Sequence, residues 1–400
     1  MELFQKKEDC CGCSACASIC GKHAISMQPD EEGFLYPHID ESLCVSCGQC
    51  ITVCAFQKGI KNKKDFKPPL GFAIRHKKEE IREQSRSGGM FTALTDYILS
   101  KGGTVYGAGY GKHFVVLHKR AQTKEERDEF RGSKYVQSDM GDCFRQVKKD
   151  LEDGKKVLFS GTACQVAGLR KYLKRRYYNL FTIDLVCHGT PSPKVWEDFL
   201  CMREKELHGA ISSVSFRDKE DYGWAAHYES ITIDEKKYYS RIYTKLFYQN
   251  AVLRPACYQC KYTKKERPGD ITLADFWGHE KAVPGFHEDN RGVSLVLINS
   301  NRGKQLFDVV KKNVYYKDTT GYPYRHTNMK HPSNCPEFRE QFWKDYKDYG
   351  FAYISEHYAN HKFTPYWKVQ LKKVIPKRLW KYLKRWYLHF NKSKNLKEEG

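Results

Sequence analysis

Beyond residue 70, apolar positions recur in short runs that alternate between strand-like and helix-like patterns. Phe91 to Leu99 reads as a helix, and Thr104 to Tyr110 and Phe114 to Lys119 read as strands. The alternation continues with a helix over Met140–Leu151, a strand over Lys156–Ser160, a helix over Cys164–Arg175, a strand over Phe181–Val186 and a helix over Pro193–Leu207. Further strands are predicted at Ser212–Phe216, Tyr228–Ile233, Ile271–Phe276 and Val293–Asn299, with a helix at Gly303–Lys312. Strands separated by helices predict an α/β fold with a largely parallel or mixed sheet over residues 70–320. Residues 1–58 are expected to form a small separate domain (α+β overall). The Lys-rich stretch 59–69, closing in Pro68-Pro69, reads as a linker. Residues 321–360 are aromatic and turn-rich, and the pattern assigns no element there.

The last forty residues have a different pattern. Leu371, Ile375, Leu379, Leu383, Trp386 and Phe390 make one helical stripe, opposed by Lys372, Lys373, Lys377, Lys381, Lys384 and Arg385. Pro376 either breaks the run or opens a second helix. A basic amphipathic tail over 361–400, with Trp367, Trp380 and Trp386, fits an anionic membrane surface; equally, it fits a helix docked on the protein itself.

Composition narrows the classes. With 400 residues, 40% hydrophobic and 14% aromatic, the chain can build a core. Its longest apolar run, Val293–Ile298, is strand-length, and Met1-Glu2 leads directly toward the first cysteines, so neither a membrane span nor a secretion signal is expected. These features predict a cytoplasmic protein, with the tail leaving room for association with the inner face of the cell membrane. The net charge of +21 suits acidic redox partners or an anionic surface; no nucleic-acid motif accompanies it.

Chemistry enters with the cysteines. Cys10-x2-Cys13-x2-Cys16-x3-Cys20 is followed by Cys44-x2-Cys47-x2-Cys50-x3-Cys54, the spacing of a ferredoxin-type domain with two 4Fe–4S clusters. In that pattern the fourth cysteine serves the other cluster. Cys10, Cys13, Cys16 and Cys54 are therefore assigned to one, and Cys44, Cys47, Cys50 and Cys20 to the other. Gly21 and Ala55 stand where a proline usually follows the fourth cysteine. Zinc sites rarely use two sets of four at this spacing. Cys11 is surplus, and Cys143, Cys201 and Cys335 read as ordinary residues.

In the large domain, Ser85-Arg86-Ser87-Gly88-Gly89 precedes a helix, a place for an anionic group or simply a cap. Two expected strands run out into Cys164 and into Cys187-His188-Gly189, and Cys257-x2-Cys260 follows later. These four cysteines could hold a third 4Fe–4S cluster. A zinc site at Cys257/Cys260 or buried structural thiols at Cys164 and Cys187 are the alternatives. Asp275 could orient a ligand ring or cap its turn.

Together, Ser87-Gly88-Gly89, Gly132-Ser133-Lys134-Tyr135-Val136-Gln137-Ser138, Gly161-Thr162-x-Cys164-Gln165, Cys187-His188-Gly189, Cys257-x2-Cys260 and Asp270-Ile271-x3-Asp275-Phe276-Trp277-Gly278 resemble the coenzyme F420 hydrogenase/dehydrogenase β-subunit family. Many members have Pro where this chain has Ala163. The resemblance covers roughly residues 1–300. It implies FAD in the large domain, with contacts from Ser87, Gly88, Gly89, Ser133, Lys134 and Tyr135, and a third 4Fe–4S cluster on Cys164, Cys187, Cys257 and Cys260. The implied function is an iron–sulfur flavoprotein oxidoreductase passing electrons between ferredoxin-type clusters and FAD, with hydride exchange to coenzyme F420 or another two-electron carrier. The alternative is a non-catalytic electron-transfer subunit of a larger redox complex. Expected partners are an electron-carrier protein or redox subunit and the deazaflavin coenzyme. No individual catalytic residue is singled out.

Overall fold

A computed structural model describes residues 3–59, 65–286 and 289–362. Thirteen strands occur among the described residues: β1 Ile25–Pro29, β2 Leu35–Ile39, β3 Leu70–His76, β4 Thr104–Tyr110, β5 Val116–Ala121, β6 Val157–Thr162, β7 Leu180–Leu185, β8 Ile211–Ser215, β9 Glu229–Ile233, β10 Lys236–Ser240, β11 Ile271–Asp275, β12 Ser294–Ile298 and β13 Val314–Asp318. Eight form one mixed sheet in the order β13-β3-β12-β11-β7-β6-β4-β5. Its centre is parallel (β4 with β6, β6 with β7, β7 with β11), and the remaining pairs are antiparallel. The fold is therefore α/β with a mixed sheet, as the alternating pattern predicts.

Neighbouring residues of one central strand point to opposite faces, and each face carries helices. Leu158 packs with Leu94, Ile98, Leu306 and Phe307 from the helices Met90–Ser100 and Asn301–Val310. Val157 and Phe159 pack with Phe144, Val147, Val166 and Leu169 from the helices Cys143–Glu152 and Ala163–Leu173. β8, β9 and β10 make a second, three-stranded antiparallel sheet. It shares a core with the helix Pro193–Leu207, whose start is fixed by Pro193 at the first turn and by Ser192 Oγ accepting from Val195 N.

The segment 321–360 holds a helix that the pattern leaves unassigned, Arg339–His357. Its buried residues Phe342, Tyr346, Phe351 and Ile354 pack into the same core as Trp196 and Phe199. Gly350, at φ +75°, interrupts the helix and shifts the apolar register, so no single 3.6-residue stripe runs through it. The amphipathic tail expected at 361–400 lies, but for His361 and Lys362, outside the described residues. No helix among the described residues is long and apolar enough to cross a membrane.

The N-terminal region, with the β1–β2 hairpin, is locked onto the large domain. Arg145 donates to Ser18 O and Ala17 O at 3.1 and 2.9 Å, Tyr262 OH to Ala55 O at 3.0 Å, and Arg339 pairs with Glu32.

Candidate iron–sulfur and flavin sites

The parallel register explains how cysteines far apart in sequence meet. β6 and β7 pair from Val157↔Leu180 through Thr162↔Leu185, so their carboxyl ends lie side by side. Cys164 and Cys187 each stand two residues beyond that last pair. The loop carrying Cys257 and Cys260 is laid over the same edge by Arg254 N donating to Thr190 O (3.0 Å) and Leu253 bridging Pro191. Thr190 N then donates to Cys257 Sγ at 3.3 Å. All four cysteines line one small cavity beyond the strand ends, where ligands of such sheets bind.

The electrostatics of this cavity fit a cluster. Burial pushes the Cys187 thiol well up, with Cys257, Cys164 and Cys260 adding to the shift, and burial likewise pushes Cys260 up to about 12. Thiolates held this close need a cationic core to share their charge.

The first ferredoxin-type set is also assembled. Cys10, Cys13, Cys16 and Cys54 line one cavity, whose wall Cys11 and Cys50 also reach, and burial followed by mutual repulsion raises Cys16 well above the usual thiol range. This set leans on the helix Ala163–Leu173. A Cβ on Gly168 would stand only 2.7 Å from Cys13 Sγ, so only glycine admits this approach. Cys11, surplus in the sequence pattern, has its thiol hydrogen-bonded toward both Cys13 and Cys164. It therefore lies between the first set and the large-domain set.

Arg254 joins the same two sets. Its side chain is fully buried; Nε donates to Cys10 O at 2.7 Å, Nη1 to Gln137 Oε1 at 2.8 Å, and Nη2 to Leu35 O at 3.1 Å and to Cys10 Sγ at 3.5 Å. The guanidinium lies 4.0 Å from the Tyr36 ring centroid. Its hydrogen-bond acceptors are neutral carbonyls and a cysteine sulfur. A buried cation needs an opposing charge, and Cys10 and its neighbours would supply one as thiolates ligating a cluster, although burial by itself raises the Cys10 thiol. This arrangement fits an anionic cluster in the first set. Nothing in the sequence pattern marks Arg254 beyond its place three residues before Cys257.

The second set has the same local geometry in different surroundings. Cys50 lies within electrostatic reach of Cys47 and Cys20, and burial raises its pKa. Cys44 sits on the same loop, and Cys47 is exposed.

Of the residues implied for the flavin, Ser133 lines a cleft of about 790 Å³, together with Ser85, Arg86, Gly132, Arg217 and Lys219 among others. Ser87, Gly88 and Gly89 follow Arg86 in the turn before the helix Met90–Ser100 and pack inward: Ser87 Oγ donates to Val293 O at 2.7 Å, and a Cβ on Gly88 would meet Ile74 O at 2.0 Å. Lys134 is turned onto its own loop, whereas the Tyr135 hydroxyl accepts from Arg217 Nη1 of the cleft at 3.4 Å. Lys134 Nζ donates to Glu129 O and Arg131 O, and burial brings its pKa down to about 7. Tyr135 stacks on Phe247 with centroids 4.6 Å apart.

The cleft is lined by charges of both signs: Arg86, Arg217, Lys219, Lys237 and Arg291 share it with Glu83, Asp218, Glu220, Asp221 and Asp289. Arg86 donates to Arg217 O and Trp224 O, and burial lowers its pKa to about 10. Arg217 pairs with Asp275, which also accepts from Trp224 Nε1 at 3.2 Å, so Asp275 is committed within the protein. Burial, then Arg86 and Arg82, bring Lys219 down to about 7. Lys219 Nζ donates to Arg82 O and Arg291 O at 2.5 and 2.8 Å, so an anion in the cleft would compete with these carbonyls for it.

Comparison with known proteins agrees in two places. Residues 9–58 match the 4Fe–4S dicluster domain, and residues 154–320 match the C terminus of the coenzyme F420 hydrogenase/dehydrogenase beta subunit. No curated protein matches the chain. Among solved structures, a chain of the xenon-derivatised F420-reducing NiFe hydrogenase complex from Methanosarcina barkeri aligns with 18% identity over 73% of this chain and 92% of its own, at a TM-score of 0.45.

Proposed function

We propose an iron–sulfur flavoprotein oxidoreductase with three clusters and FAD, from a chain that joins a 4Fe–4S dicluster domain to a domain of the coenzyme F420 hydrogenase/dehydrogenase β-subunit family. Those two matches make it an iron–sulfur redox protein of an oxidoreductase class. The finer reading is that electrons pass between the dicluster domain and FAD, and that FAD exchanges hydride with coenzyme F420 or another two-electron carrier. Bound clusters would move single electrons, and a bound flavin would join them to two-electron chemistry.

The observation that carries this reading is the placement of the helix Ala163–Leu173. Cys164 lies at its start, Gly168 abuts Cys13, and Lys174 just past its end donates to Gln49 Oε1 at 2.9 Å, beside Cys50. One helix of about 16 Å thus runs along all three cysteine sets. The residues keep the sets in fixed order, and Arg254 holds the inner two together. In the cleft, Arg86, Arg217 and Lys219 would bind the dinucleotide phosphates and orient the ring toward the strand ends.

Purification without oxygen followed by cofactor extraction tests this. About twelve irons and one flavin per chain are expected; protein that binds no flavin overturns the enzyme reading. One observation favours a non-catalytic electron-transfer subunit instead: Ser87 and Lys134 spend their polar atoms on backbone carbonyls. Steady reduction of a deazaflavin by the isolated chain excludes that alternative.

A further inference from the structure

The outer cysteine set lies in a surface patch that the relay itself does not require. Leu43 and Val45 flank Cys44 and are 50% and 61% exposed, and Cys47 beside them is exposed as well. Large apolar side chains this open, on both sides of a ligand-bearing loop, are the kind of surface a partner covers. Next to that loop, reached through the Lys174–Gln49 hydrogen bond, the helix Ala163–Leu173 ends in Lys174, Arg175 and Arg176, all exposed. Among the described residues Arg175 has Glu152 at 3.9 Å, and all three cations border a cavity that Asp65 and Asp270 also line. Tyr178, 83% exposed, continues the basic segment. The acidic residues of the outer loop are Asp40 and Glu41, and Asp40 is turned onto Ser42.

From this we infer that the face formed by Leu43, Val45, Lys174, Arg175 and Arg176 docks a small acidic one-electron carrier protein against the outer cysteine set. The inference rests on the proposed iron–sulfur reading. The apolar pair gives the contact a dry centre, and the three cations give it a rim complementary to an acidic partner. Interfaces of this kind are small and short-lived, and rim charge governs how often a productive encounter forms. Each encounter moves one electron and nothing else. The carrier is oxidised by one electron as this chain is reduced by one, or the reverse, with no bond made or broken. The outer set holds the one exposed cysteine of the three sets, Cys47, whereas Cys13 of the first set is buried.

The test uses holoprotein purified without oxygen, with a purified acidic ferredoxin as probe, and compares wild type with the double variant Arg175→Glu, Arg176→Glu. The exposed pair Lys312→Glu, Lys317→Glu, at the β13 edge of the large sheet, serves as a charge control. Iron content and bleaching by dithionite are read first, and carrier binding and carrier-driven reduction second. All three proteins should hold the same iron and bleach with dithionite. The double variant should accept electrons from the carrier about tenfold more slowly or worse, the size expected when a complementary rim is reversed. The control should match wild type, and the wild-type rate should fall as salt rises. A double variant as fast as wild type overturns the docking face. So does a wild type that bleaches with dithionite but does not bind the carrier, and so does equal slowing in the control. Protein that holds no iron overturns the underlying iron–sulfur reading instead.

Discussion

The two halves of the doubled cysteine motif share a local fold and differ in nearly everything around it. After Cys13, Ser14 takes a left-handed turn (φ 60°), and after Cys47, Gly48 does the same (φ 68°); each starts a short helix, Ala15–Ile19 and Gln49–Thr52. Cys20 and Cys54 close the halves in matching extended conformations, φ −70° in both. Yet the first set is pressed against the large domain, with Cys13 buried and Arg254 spanning Cys10 and the Cys257 loop, while the second set opens to solvent at Cys47, Leu43 and Val45. Spacing therefore specifies a ligand cage, and the neighbouring domain decides which cage faces inward. A duplicated motif becomes a directed one by burying one copy.

Removing a ligand from each set should expose this asymmetry most strongly. Cys13→Ala and Cys47→Ala should each lose about four irons. Only Cys13→Ala should also loosen the N-terminal region, because it leaves Arg254 without part of its counter-charge; limited proteolysis would read the difference. Equal protease resistance in the two variants would remove the distinction between inner and outer sets. Next in size is Arg254→Met. Losing one partner of a buried charge pair costs about 3–5 kcal/mol, so thermal unfolding of the holoprotein should move sharply down, with iron lost from the first set before the second. Gly168→Ala follows. The added methyl overlaps Cys13, and overpacking of this kind costs about 1–3 kcal/mol, partly offset by about 1 kcal/mol of helix preference for Ala over Gly. The same change at Gly48, where a Cβ meets nothing within 4 Å, tests backbone strain alone.

The smallest effect concerns the cleft. Burial disfavours the charged form of Lys219, so its amine loses its proton near pH 7, and an anion can pair with it only while it is charged. FAD binding to flavin-depleted protein should therefore be tightest below pH 7 and weaken as pH rises through it, by at most about tenfold per unit. A fluorescence titration across that range checks the sign, and Lys219→Met should flatten the profile.

Much of this was legible in the sequence, for identifiable reasons. Thr104–Tyr110 and Pro193–Leu207 match the observed strand and helix residue for residue, since Ser192-Pro193 announces the helix start and His208 ends it in a left-handed cap. The ferredoxin-type spacing offers its own candidate ligands, and Cys10, Cys13, Cys16 and Cys54 do lie around one cavity. What spacing could not convey was proximity across the sheet: Cys164 and Cys187 meet only because β6 and β7 pair in parallel with Thr162 opposite Leu185. Arg254, Arg86, Arg217 and Lys219 were hidden for a related reason. In a chain carrying 69 Lys and Arg, a single functional cation has no sequence signature until burial distinguishes it. The helix Arg339–His357 was obscured by Gly350, and Cys11 looked surplus because its partners, Cys13 and Cys164, belong to different sets.

If the inner and large-domain sets are neighbours, with the outer set beyond them, their reduced centres must sense one another. Pulsed EPR on anaerobically reduced Cys47→Ala protein measures this. With the outer set disabled, the two remaining centres should give magnetically coupled signals, and adding Cys257→Ser and Cys260→Ser should remove the coupling. A Cys47→Ala spectrum that is the plain sum of two isolated centres would contradict that order of the three sets.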